Sequence, residues 1–194
     1  MRLVAGILFG LAQPLLADTF VRPDIITDPS PARFSVCSEH ECSRRDAVSL
    51  TDAQWQEIRA LFTPAAVSAQ EERAVLRRAI ARMEDFVGAL NGTSADLGGN
   101  FAGSGMARQM DCIDESSNTT TYLRLFQKNG LLRWHESQER THRARWVFDI
   151  HWTAVIRDTV TGQFYAVDSW YLDNGRPPYI QKLEDWRDKQ DFDE

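Results

Sequence analysis

An α+β fold, helices first and an antiparallel sheet last, is what this sequence predicts. Three observations carry the expectation. Residues 51–129 contain three stretches with apolar residues at helical spacing, each opened by a capping residue. The last third holds short runs of strand length, rich in Val, Ile, Thr, Tyr and Trp and separated by turn residues. No internal repeat or low-complexity tract interrupts that order, and 194 residues suit one domain.

The elements follow in order. Residues 1–17 read as a secretory signal peptide: Arg2 is the positive end, Leu3 to Leu11 the apolar stretch, and Ala17 the small residue before a cleavage point. Residues 18–194 then form a single domain, exported and periplasmic or secreted, with no stable membrane insertion once the leader is removed. Val21 to Pro31 is an extended, Pro-punctuated surface segment, and Arg33 to Cys37 alternates as a short strand does. Thr51 caps a first helix, with Gln54 three residues on and Trp55, Ile58, Leu61 and Phe62 along one face. Ser68 caps a second, which runs to Asn91-Gly92; its charged side, Glu72, Arg73, Arg77, Arg78 and Arg82, reads as a solvated face. Gly92 to Gly105 reads as a flexible loop, a wall or lid of a cleft. Asp111 caps a third helix from Cys112 to about Asn129. Strands are expected at 145–148, 150–157, 163–169 and 179–183.

Composition excludes some partners. A formal net charge of −6, with Arg scattered among acids, does not suit nucleic acid, which selects clustered Lys and Arg. The cysteine count is informative too. In an oxidising compartment three cysteines imply one bridge and one free thiol, and Cys37 and Cys42 are the natural pair across a polar loop. Cys37, His40 and Cys42 also resemble half a zinc site, but the other histidines offer no second close pair.

Cys112 is then a free thiol at a helix start. The helix N-terminus favours a thiolate, and its unpaired N–H groups can receive an oxyanion. His151 and Asp168 lie on runs that read as a β-hairpin with its loop centred near Thr159 or Val160. Residues equally distant from the loop centre face each other, so His151 is expected opposite Asp168. Cys112, His151 and Asp168 are thus the candidate nucleophile, base and orienting carboxylate.

Met-Asp-Cys-Ile-Asp-Glu (110–115), His-Trp-Thr-Ala-Val-Ile (151–156) and Tyr-Ala-Val-Asp-Ser-Trp (165–170) resemble, in that order, the three motif blocks of bacterial transglutaminase-like cysteine proteinases. The resemblance covers 109–170. It implies a papain-like or transglutaminase-like core, a nucleophile helix packed on an antiparallel sheet, and a thiol peptidase or amidase that forms an acyl-enzyme on a protein or peptide substrate. It requires no cofactor, although some members bind calcium; Asp111, Asp114 and Glu115 are the candidates here, with helix capping as their other reading. Gln109 is a candidate oxyanion donor, Trp152, Trp170 and Tyr171 are candidate groove walls, and Trp134 and His135 candidate cleft residues. Two alternatives stand beside this: a non-catalytic binding module on the same fold, and a peptidoglycan endopeptidase.

Overall fold

The computed structural model describes residues 25–100, 106–144 and 150–189. The expected leader and the expected strand at 145–148 lie outside them. Capping explains where the helices begin. In α1 (Asp52–Ala60) the Thr51 hydroxyl accepts from the Gln54 N–H at 3.2 Å, and the Gln54 side chain accepts from the Thr51 N–H at 2.9 Å. In α2 (Ala69–Asn91) the Ser68 hydroxyl accepts from the Glu71 N–H, and Gly92 ends the helix at φ 89°, a left-handed conformation that suits glycine. In α3 (Cys112–Lys128) Asp111 accepts from the N–H groups of Ile113 and Asp114, and Asp114 reaches back to the Asp111 N–H. All three starts fall where the sequence places them.

Two antiparallel sheets complete the fold. β1 (Phe34–Ser38) and β2 (Arg44–Val48) form a hairpin against α3. β3 (His135–Ala144), β4 (Ile150–Asp158), β5 (Phe164–Asp168) and β6 (Tyr179–Lys182) form a meander in chain order, and the short α4 (Leu183–Arg187) follows. One face of the meander, with Ala154, Ile156 and Val167, packs on Leu76, Ile80, Tyr122 and Phe126 of α2 and α3. The other face, with Val155 and Ala166, is covered by Leu183 and Trp186. Full burial of a Leu, Ile or Phe side chain stabilises by about 1.5–3 kcal/mol, so Ile58, Leu76, Ile80, Leu123 and Phe126 anchor the helical layer. Among the described residues no helix is long and apolar enough to cross a membrane.

β2, β3 and α4 stand where the sequence announced no element, and the charged side of α2 also departs from expectation. β3 was not expected, because His-Glu-Ser-Gln-Glu-Arg-Thr-His-Arg-Ala carries almost no apolar signal; pairing with β4 makes it a strand. The charged side of α2 is not simply solvated. Glu72 is buried and accepts hydrogen bonds from the backbone N–H groups of Arg133, Trp134 and His135, at 2.6, 3.0 and 2.9 Å. It also bonds the His135 ring at Nδ1, and Arg73 lies over the Tyr165 ring. Helix and strand start are joined there.

Candidate active site

The β4–β5 hairpin brings His151 and Asp168 together. Their Nε2 and Oδ2 atoms are 2.7 Å apart, and both side chains are buried. The register differs from the expected one. Ala154 pairs with Val167, which continues to Thr153, not His151, opposite Asp168. The turn explains the offset: Asp158 accepts from the N–H groups of Val160 and Thr161 and closes on Gln163. The displacement is two residues, and side chains alternate with period two, so both groups still share a face and meet diagonally.

Several groups hold the pair. The Trp186 indole N–H donates to the same Asp168 oxygen at 2.7 Å. The His151 ring lies 5.0 Å from those of Trp170 and Tyr171 and 5.6 Å from that of Trp186. Arg143, paired with His151 across β3 and β4, donates to the Tyr171 hydroxyl and to the Trp186 carbonyl. An ionised carboxylate only accepts, so Nε2 carries the ring proton and Nδ1 is the basic nitrogen.

Cys112 begins α3, and it is the free thiol. The Trp152 N–H, which belongs to the peptide joining His151 to Trp152, favours a charged sulfur at Cys112. The electrostatics reverse the expectation of a ready thiolate. Burial pushes the Cys112 thiol up to about 11, and the charges of Asp111 and Asp168 push the same way. The Trp152 and Cys112 N–H groups oppose them only in part. Desolvation outweighs the helix terminus here.

The other candidates take varied places. Gln109 is tied to the preceding loop: its side chain accepts from Asn100 at 2.6 Å and donates to the Ala95 carbonyl at 3.1 Å. The described part of that loop is fastened, not free. Asp96 accepts from the Met110 N–H, and Gly99 donates to the Trp170 carbonyl. Trp152 stacks near His142 and under Arg140, beside the thiol. Trp134 and His135 open β3 at the end that pairs with Asp158, the opposite end from His151, so they do not line this site.

The three acids named for calcium have protein partners in this structure. Asp111 and Asp114 are occupied by the disulfide-closed loop: the N–H groups of His40 and Cys42 donate to Asp114 at 2.9 and 2.7 Å, and that of Glu41 to Asp111 at 2.9 Å. Glu115 is turned into the interior, where its charge interacts most strongly with Glu84 of α2. Cys37, Cys42 and Asp114 do cluster, but the two sulfurs are bonded to each other.

Sequence reasoning missed a buried acid group behind the site. Glu84 is raised to about 8, first by burial, and Glu115 well above the usual range by burial and by Glu84. Oε1 of Glu84 and Oε2 of Glu115 have no hydrogen-bond donor among the described residues, which fits a retained proton. Asp96 and Asp114 are each raised to about 7, chiefly by burial. The folded state therefore holds protons that the unfolded chain releases. That stability is fully present below pH ~4 and is lost as pH rises through the folded values near 7 and 8. We expect the melting temperature to fall by roughly 5 °C between pH ~5.5 and ~8.5 in constant salt, and Glu84→Gln to flatten the slope. A melting temperature that climbs across this range would contradict the assignment.

Comparison with protein-family models, curated proteins and solved structures finds no match for this chain.

Proposed function

We propose that the protein is a thiol hydrolase of the transglutaminase-like type, with a papain-like arrangement of helix and sheet, that cleaves peptide or amide bonds through an acyl-enzyme. The observation that carries this reading is the His151–Asp168 pair, buried and fixed by Trp186, on a hairpin whose Trp152 N–H and Asp168 charge both act on the Cys112 sulfur.

The chemistry follows from the proton positions. At rest the thiol is protonated, so His151 acts as general base at the moment of attack. Nδ1 takes the thiol proton, the sulfur bonds to the carbonyl carbon, and the carbonyl π pair moves to oxygen. Asp168 stabilises the imidazolium so formed. The Asp111 side chain already occupies the Ile113 and Asp114 N–H groups, which leaves the Cys112 amide as the first-turn donor for the oxyanion. Collapse breaks the C–N bond, the amine leaves with the proton from His151, and water, deprotonated by His151, hydrolyses the thioester. The Cys37–Cys42 bridge suits an extracytoplasmic setting.

The elevated thiol favours one rival, a binding module that keeps the groove without the chemistry. Acylation separates them. The folded protein treated with p-nitrophenyl acetate should give a burst of nitrophenolate and an acetyl group on Cys112, found by mass spectrometry of the peptide. Cys112→Ala should abolish both. A Cys112 that resists acylation when folded, yet reacts once unfolded, would favour the binding module.

A further inference from the structure

Arg140 is a cation without a counter-ion beside the thiol. β3 pairs regularly up to Gln138↔Val155 and resumes at Thr141↔Thr153, so Glu139 and Arg140 together oppose Ala154. That is a β-bulge, a device that re-aims a side chain. The two residues then part company. Glu139 pairs with Arg124 of α3. The Arg140 guanidinium instead lies 4.6 Å from the centre of the Trp152 ring, on the residue whose N–H favours a charged Cys112 sulfur.

Its polar contacts are few. It donates one long hydrogen bond, 3.4 Å, to the Ile113 carbonyl in the first turn of the nucleophile helix. Among the described residues no carboxylate lies within ion-pair distance of it. Of the acids within electrostatic reach, Asp111 and Asp114 are held by N–H donors and Glu139 is paired with Arg124. Arg140 also borders an open cleft of about 140 Å³ along α3, whose lining includes Ser35, Ser117, Thr120, Thr121, Arg124 and Glu139. A half-buried guanidinium, braced on an indole and bordering a hydroxyl-lined cleft, is matched to a planar oxyanion.

We propose that Arg140 is the specificity-determining residue of the site and receives a substrate carboxylate, so that the hydrolase acts on acidic peptides or amides bearing a carboxylate close to the attacked carbonyl. This rests on the function proposed above. The carboxylate has two sources, an Asp or Glu side chain or a free C-terminus.

Alkylation tests the anion site before any substrate is known. The Cys112 sulfur displaces iodide from iodoacetate, an anion, or from iodoacetamide, its neutral counterpart. The iodoacetate-to-iodoacetamide rate ratio should exceed that of N-acetylcysteine by about tenfold or more and return to it in Arg140→Met, with Arg140→Lys between. Peptides matched as Glu against Gln beside the cleaved bond, and as free against amidated C-terminus, should then reveal the source through whichever preference Arg140→Met removes. A ratio equal to that of the free thiol, a ratio unchanged by Arg140→Met, or equal slowing of both reagents overturns the proposal; so does failure of both reagents to reach folded Cys112. If Cys112 still acylates while the ratio is flat, the anion site alone falls. Absent acylation removes the hydrolase reading as well.

Discussion

Removing the imidazole, as in His151→Ala, is expected to slow acylation of Cys112 at pH ~7 by about 10³-fold. The resting thiol is held near 11 by burial and by Asp111 and Asp168, so almost none of it ionises unaided at neutral pH. The base must therefore do nearly all the work of making the nucleophile. Asp168 acts through that base, and the two ways of replacing it should differ. Asp168→Ala leaves both His151 Nε2 and the Trp186 N–H without their shared acceptor, and about 10²-fold should be lost. Asp168→Asn can place its amide oxygen where Oδ2 stands, accept from both, and keep the ring proton on Nε2. We expect about tenfold for that variant. Stopped-flow release of nitrophenolate, with melting temperatures recorded for each protein, measures these steps. A His151→Ala rate within threefold of wild type would remove His151 from the mechanism.

The second large effect concerns stability. Glu72→Ala should cost about 3–5 kcal/mol, a fall of roughly 10 °C or more in melting temperature. The carboxylate is 2% exposed and accepts from three successive backbone N–H groups and from the His135 ring. Truncation strands these donors together, and those of His135, its N–H and its ring, lie in the buried interior. Glu72→Gln retains one acceptor oxygen and should fall about midway. An exposed control, Glu57→Ala, loses only a surface pair with Arg82 and should change stability by less than about 1 kcal/mol. Circular dichroism during thermal unfolding checks all three. A Glu72→Ala protein melting within 3 °C of wild type would mean that the strand start finds other partners.

What the sequence made legible was mostly local. Thr51, Ser68 and Asp111 announce helix starts because a cap is a bond between neighbours, readable from residue types three positions apart. The shared face of His151 and Asp168 was legible for a different reason: strand alternation tolerates any even error in register, and the error was two. The α+β order followed from the same local signals. Long-range effects stayed hidden. β3 is polar along its length and becomes a strand only through β4. Glu72 sits in a run of charges, and nothing in the run tells which one will meet the chain again at Arg133. The re-aiming of Arg140 depends on a bulge that exists only once two strands are paired. The thiol was misjudged for a related reason. Its place at a helix N-terminus is written in the sequence, but the water it loses to its surroundings is not.

The elevated thiol bears on how two kinds of sulfur coexist in one chain. Conditions that keep Cys37 and Cys42 joined are conditions that consume an exposed thiolate, whether by sulfenic acid formation or by mixed disulfides. Cys112 kept in its protonated form presents little for an oxidant to attack. On the mechanism proposed above, the His151 imidazole draws out the anion only when an electrophile is seated to receive it. Latency of this kind trades resting reactivity for lifetime, and it would let a bridged scaffold and a working thiol share the same surroundings.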